Sequence, residues 1–397
     1  MGHCLCAVKL ESLKDMTNGI LGKWAVRCSV TALLLTLAHS LPAIAQTTFG
    51  TGTFQGIIDS DSDNDEGFGF IRLTLNKTGT FTMAFNVGVN AVGHHYYVKV
   101  GKFDSSGHWS ISGTAPDPGS YNTRYELPIN MSLQLDSIDN PTRITGELDD
   151  YTHSSHIEIE RIFVASRGNL SPHAGSYTFL FAGTHQPDPD GTGWGRAIVS
   201  PYGYIYAYGV TPDGRPFAQG ANVTVYDRWP VFTKMAGVVN GIFSGWLNFD
   251  DRSDSDFTSQ LTWIGPEEPG PNHAFVPQFV TTINVVGSRW VYTPHMTALQ
   301  LNSVTNNIHL TFTDGGLENQ IDRNLTLNQF NRVIFAPHQL GDSMYVLPTI
   351  GLFGGTFKHT DGRIYLFRGA ILQKQNYGGG QFVTIDHNSG SVNFNPN

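Results

Sequence analysis

Three stretches of this chain share one glycine-spaced pattern. Gly67, Gly69 and Gly79 recur as Gly191, Gly193 and Gly203, and again as Gly378, Gly380 and Gly390. The second and third glycines of each copy stand ten residues apart, and Phe81, Ile205 or Val392 follows two places after the last. Between them the residues alternate or run apolar, as in Phe70-Ile71-Arg72-Leu73-Thr74-Leu75. A strand, a turn and a returning strand produce this pattern, with glycine supplying positive-φ positions in the turn. The pattern predicts an all-β fold of antiparallel hairpin repeats.

Other short β-rich runs, such as Tyr96–Val100, Val223–Tyr226 and Ile308–Phe312, are separated by the turn signals Asp190-Gly191, Asp213-Gly214, Asp314-Gly315 and Asp361-Gly362. No window shows a capped helical period. One or two closed β-barrels are expected, because closure leaves few exposed sheet edges; β-sandwiches are the alternative. Gly52-x-Phe54 and Gly175-x-Tyr177 begin equivalent stretches. This spacing divides the chain into a first β unit over residues 46–170 and a second, larger one over 171–397. The polar stretch Pro266 to Pro277 is a long loop or a junction inside the second unit.

Residues 1–45 read as a secretory signal peptide. Lys23 and Arg27 flank the apolar run Val30 to Leu41, and Ala43-Ile44-Ala45 is a small-x-small cleavage site before Gln46. A start at Met16 would give a signal of ordinary proportions. The apolar run falls short of the roughly 20 residues that a membrane-spanning helix needs. Cys4, Cys6 and Cys28 all precede the cleavage site, so the exported part carries no thiol and needs no disulfide. It retains 20 basic and 31 acidic side chains, a net charge of −11. That balance argues against nucleic acid and anionic lipid as partners.

Gly209-Val210-Thr211-Pro212-Asp213-Gly214, Trp229-Pro230-Val231-Phe232, Gly245-Trp246-Leu247-Asn248-Phe249 and Leu261-Thr262-Trp263 together resemble a bacterial family. These are large, exported, Gly-rich β-repeat proteins of the envelope, often multidomain and carrying immunoglobulin-like repeats. The segment Gly369-Ala370-Ile371-Leu372-Gln373 to Ser389-Gly390-Ser391-Val392 resembles the end of that unit. The resemblance is most specific over residues 174–264 and 365–395, and little matches around 265–300. It implies a fold and an address in the periplasm, at the cell surface or outside the cell. It implies no activity, and no catalytic residue carries over.

Few residues offer chemistry. Asp61, Asp63 and Asp65 alternate as Ca²⁺ ligands do, making calcium the one cofactor to consider. A calcium loop starting at Asp61 would need Gly at its sixth place and Glu at its twelfth, where Glu66 and Arg72 stand. The run reads better as a solvated hairpin tip, and Asp250 to Asp256 reads the same way. His156, Glu158 and Glu160 share one face of a strand, where His156 and Glu158 are candidate ligands for a divalent metal. A strand with one solvated face and one core face is the plainer expectation. Trp109 and Trp194, beside turn glycines, are candidates for sugar stacking, whereas Trp246 and Trp263 read as core. HExxH, a P-loop and the Gly-x-Ser-x-Gly elbow are all absent from the sequence.

The expected function is therefore that of an exported, non-catalytic structural, adhesion or glycan-contacting protein of the bacterial envelope. Its partners would be glycans or other envelope proteins, and its mature chain would not span the membrane. A secreted polysaccharide-acting hydrolase and an outer-membrane β-barrel are the alternatives. N-terminal sequencing of the protein exported from a bacterial host should begin at Gln46; retention of the apolar run would overturn the signal assignment.

Overall fold

The computed structural model describes residues 47–60, 67–87, 95–116, 126–150, 153–182, 189–234, 241–265, 274 and 279–397. The signal segment, Asp61, Asp63 and Asp65, and most of the stretch from Pro266 to Pro277 lie outside the described residues. The described chain is all β, arranged as three eight-stranded antiparallel sheets that nearly close into barrels.

The first barrel comprises β1 (Gly52–Ser60), β2 (Gly69–Leu75), β3 (Thr80–Val87), β4 (His95–Lys102), β5 (His108–Pro116), β6 (Glu126–Leu135), β7 (Arg143–Asp150) and β8 (His153–Arg161). The second comprises β9 (Gly175–Ala182), β10 (Thr192–Val199), β11 (Tyr204–Val210), β12 (Pro216–Asn222), β13 (Arg228–Lys234), β14 (Ile242–Phe249), β15 (Phe257–Ile264) and β16 (Val280–Arg289). The third comprises β17 (Ile308–Asp314), β18 (Ile321–Leu327), β19 (Val333–Phe335), β20 (Ser343–Leu347), β21 (Leu352–Lys358), β22 (Ile364–Leu372), β23 (Tyr377–Val383) and β24 (Ser389–Pro396).

In every barrel the first strand pairs with the eighth: β1 with β8, β9 with β16 and β17 with β24. Among the described residues each sheet stays unpaired at one seam between consecutive strands, at β4/β5, β12/β13 and β19/β20. The expected boundary near residue 170 falls between the first two barrels, in the connector from β8 to β9. Residues 171–397 hold two barrels rather than one unit, because the ladder of β16 on β9 completes a sheet before residue 290.

The hairpins are made by one repeated turn. At Asn76, Asp104, Ser200, Thr211, Thr224, Asn328, His359 and Thr384 the backbone N–H donates to the carbonyl four residues on, and the residue three places on donates back. That third residue always has positive φ: Gly79, Gly107, Gly203, Gly214, Asp227, Asn331, Gly362 or His387. This is a three-residue hairpin loop with a left-handed bulge residue. The first side chain is polar in every copy and accepts a backbone N–H inside the turn, as Asn76 Oδ1 does from Thr78 and Asp104 Oδ1 from Ser106.

Two of the three glycine copies are this turn. Gly79 and Gly203 both join the second and third strands of their barrels, and each lies under an aromatic ring from the segment before its barrel. A Cβ on Gly79 would stand 2.6 Å from the Phe49 ring, and one on Gly203 3.1 Å from the Phe163 ring. The third copy is also a hairpin, but it joins the last two strands, β23 and β24. There His387 takes the left-handed position, while a Cβ on Gly390 would stand 2.3 Å from the Phe382 ring and one on Gly380 2.1 Å from the Arg368 carbonyl. Its glycines serve close packing.

Alternation fills the barrels. Ile71, Leu73 and Leu75 of β2 point inward, whereas Arg72 and Thr74 point out. Phe54, Phe81 and Leu133 anchor the first core, Phe179, Trp229, Phe257 and Trp263 the second, and Phe312, Phe357 and Phe367 the third. Each such side chain contributes about 1.5–3 kcal/mol by leaving water. The second barrel keeps a small apolar void lined by Phe179, Phe181, Phe217 and Trp229 among others.

Gly79→Ala and Gly362→Ala separate the two demands on a turn glycine. Both substitutions adopt a left-handed conformation, costing about 1–2 kcal/mol, but nothing lies within 4 Å of a Cβ at Gly362. Urea denaturation should show Gly79→Ala to be the more destabilising, since Phe49 must also move.

Candidate functional site

The second barrel is held by a neighbour on each side. Phe68 of the first barrel, with Phe70 against it, packs on Phe232, Ile242 and Ile264, so β13 is buried on both faces through its middle. On the other side Leu180 and Trp194 pack against Leu352, Ala370 and Leu372 of the third barrel. Two outer faces remain between these contacts. The face on β15 and β16 is polar, with Gln260 donating to Asn284 Oδ1. The face on β11 and β12 carries tyrosine.

The strand Tyr204-Ile205-Tyr206-Ala207-Tyr208 turns Ile205 and Ala207 into the core and its three tyrosines outward. Tyr204 and Tyr206 are 49% and 47% exposed, and Tyr202 in the preceding turn is 71% exposed. The Tyr206 and Tyr208 ring centroids stand 5.9 Å apart, with planes inclined at 41°. Beside them on β12 the outward positions hold Pro216, Ala218, Gly220 and Asn222, with Gly220 opposite Tyr206 and Ala218 opposite Tyr208. A Cβ at Gly220 would meet the Tyr204 hydroxyl at 2.3 Å, so that side chain lies across the β12 backbone. On the β10 side the cross-strand partners are Ile198 and Arg196. Small neighbours thus leave a low aromatic shelf with ring surface open to solvent. Chemically it can stack against flat faces bearing C–H groups while its phenols make hydrogen bonds.

The aromatic residues singled out by sequence lie elsewhere. Trp194 is 7% exposed and packs between the second and third barrels. Trp109 is half-buried, edge-on to Phe81 at 5.2 Å. Trp263 is fully buried and stacks on Phe243, while Trp246 is half-buried beneath the Arg228 guanidinium, 4.0 Å from its ring. Pairing alone could not reveal the shelf, because both faces of β11 are apolar in composition.

His156, Glu158 and Glu160 do share the outer face of β8, but they diverge in role. His156 is exposed, with Nδ1 3.1 Å from Glu147 Oε1. Glu158 and Glu160 form the joint between the first two barrels. Arg228 of the second barrel bridges both at 2.7 Å, Arg143 reaches them at 3.4 and 3.2 Å, and the Thr224 hydroxyl donates to Glu160 at 2.6 Å. The Glu160 side chain is fully buried by these partners. Among the described residues, no group of three or more His, Cys, Asp or Glu side chains is placed to hold a metal ion.

The run from Asp250 to Asp256 likewise meets an internal cation. Lys374 of the third barrel places Nζ 2.5 Å from Asp251 Oδ1 and 3.1 Å from Asp256 Oδ1, and donates to the carbonyls of Arg252 and Ser255. The ammonium lowers the pKa of Asp251 through that hydrogen bond and its charge.

Comparison of the chain with protein-family models, with curated proteins and with solved structures returned no match.

Replacing Glu160 by Ala should cost about 1–3 kcal/mol, because it removes the buried acceptor of the Thr224 hydroxyl and one of the two carboxylates that face Arg143 and Arg228. Chemical denaturation would show this as a lowered midpoint, with Glu160→Gln milder. Burial also lowers Lys234 to about 8 and pushes Tyr177 up to about 12. Between pH 8 and the usual lysine value the unfolded chain holds the proton that folded Lys234 has lost, so this group makes stability rise with pH. Between the usual tyrosine value near 10 and about 12, folded Tyr177 keeps a proton the unfolded chain has lost, so stability falls. Thermal melts across this range should show that rise and fall, and Lys234→Met should flatten the rise.

Proposed function

We propose that this protein is an exported, non-catalytic component of the bacterial envelope that contacts glycans through the tyrosine shelf of its middle barrel. The observation that carries this reading is the line of Tyr204, Tyr206 and Tyr208 over the small residues of β12. Aromatic rings are usually covered by their neighbours on a sheet; here Gly220 and Ala218 leave Tyr204 and Tyr206 about half exposed, with Tyr208 half-buried beside them. Sugar rings offer the C–H faces such a surface stacks against, and their hydroxyls suit its phenols. The signal-like N-terminus and the family resemblance support an address outside the cytoplasm, where extended glycans are met.

The alternatives draw less support. A glycoside hydrolase needs a carboxylate pair facing substrate in a cleft, whereas Glu158 and Glu160 are taken up by arginines and Asp251 and Asp256 by Lys374. A membrane barrel needs an apolar outer band, whereas the outward residues Arg72 and Thr74 of β2 are polar and exposed. No helix among the described residues is long and apolar enough to cross a membrane.

The test is depletion of the purified exported chain from solution by a panel of insoluble polysaccharides. At least one should deplete it, and Tyr206→Ala should weaken that binding roughly tenfold, the factor for about 1.4 kcal/mol of lost stacking. Absence of depletion by any polysaccharide would overturn the reading.

A further inference from the structure

Resting on that reading, we infer that the shelf takes an uncharged, ribbon-like, β-linked glycan chain lying along β11, bound at internal sugars rather than at a chain end. The tyrosines occupy alternate positions of one strand, so their spacing is fixed by the backbone at about 6.6–6.8 Å per step. The observed separation of the Tyr206 and Tyr208 rings, 5.9 Å, agrees with that rise after tilting. A row of this kind meets successive rings of an extended chain. Among the described residues it has no wall on the β12 side that could enclose a terminal sugar, because Pro216, Ala218 and Gly220 stand there.

Low relief selects for chain shape. With Tyr204 lying across Gly220, the shelf presents ring surface close to the sheet, and a flat ribbon can touch several rings at once. A coiled α-linked chain curves away after one contact and loses the additive stacking.

Charge selects for composition. Among the outward positions of β10, β11 and β12 flanking the tyrosines, Ile198, Pro216, Ala218, Gly220 and Asn222 are neutral. Arg196 is the charged neighbour, half-buried between Thr178 and Tyr208 in the ladder, with its Nε atom out of contact with solvent. The chain as a whole carries a net charge of −9, which repels a polyanion rather than attracting one.

The experiment compares depletion of the full exported chain by cellulose (neutral, β-linked, flat), by starch granules (neutral, α-linked, coiled) and by calcium alginate gel (anionic). The expected result is at least tenfold tighter binding to cellulose than to either other glycan. Tyr204→Ala and Tyr206→Ala should each weaken it several-fold with an unchanged melting temperature, and Tyr206→Phe should retain it because the ring face does the stacking. Gly220→Leu, which raises the floor under Tyr204, should also weaken cellulose binding.

Tyrosine-dependent binding to starch or alginate that equals or exceeds cellulose binding would overturn this inference while leaving glycan contact standing. Cellulose binding indifferent to Tyr204 and Tyr206 would overturn the assignment to this face. Failure of all three glycans, followed by depletion with another polysaccharide that is charged or α-linked, overturns the ribbon-like neutral class; failure across the wider panel overturns the glycan reading itself.

Discussion

Each barrel depends on the pairing of its first strand with its eighth. That ladder brings together residues more than a hundred positions apart in the first two barrels, as in Phe54 with Arg161 and Tyr177 with Arg289. Without it each sheet would be two separate meanders, too narrow to enclose Phe54, Trp229 or Phe312. With it the inward faces meet around a core and only one seam stays open. The second barrel fastens its seam with side chains: Gln219 of β12 donates to the Pro230 carbonyl of β13, 2.9 Å away. Pro216 and Pro230 also leave those edges short of donors, a common way of discouraging stray pairing.

The outer faces then decide how the barrels associate. At Gly56-Ile57-Ile58 of β1 and at Trp229 to Phe232 of β13, which are apolar on both sides, the outward residues are covered by the adjoining barrel. Polar groups fix the register of these contacts. Glu158 and Glu160 receive Arg228, Asp251 and Asp256 receive Lys374, and the Gln55 side-chain amide donates to the Asn222 carbonyl. The tyrosine shelf is what the two neighbours leave uncovered on an otherwise heavily used surface.

Much of the local architecture was legible in the sequence. Strands such as Phe81 to Phe85 announce themselves by alternation, and turn glycines such as Gly79 and Gly203 by their spacing, because both are consequences of a few adjacent backbone angles. The number of barrels was not, since the ladder between β9 and β16 is a long-range event with no local mark. For the same reason Trp194 could be noticed but not placed: its burial comes from Leu352 and Leu372 in another barrel. Glu160 showed its face but not its arginine. Tyr204, Tyr206 and Tyr208 carry no local mark of exposure because their strand is apolar on both sides. The inward choice follows from Ala197, Ala207 and Ala221, whose small side chains make room for the large rings of the second core.

The first-to-eighth pairing has a mechanical consequence. In each ladder the strands are antiparallel neighbours, so the chain enters and leaves a barrel at the same end; in the first, Phe54 and Arg161 mark that end and Ser60 and Ser155 the far one. A pull on the connectors would load the ladder bonds one after another, peeling β1 from β8 instead of shearing all the bonds together. Tension along the chain would be taken up by successive unzipping, each barrel yielding in turn and lengthening the tether before the next is strained.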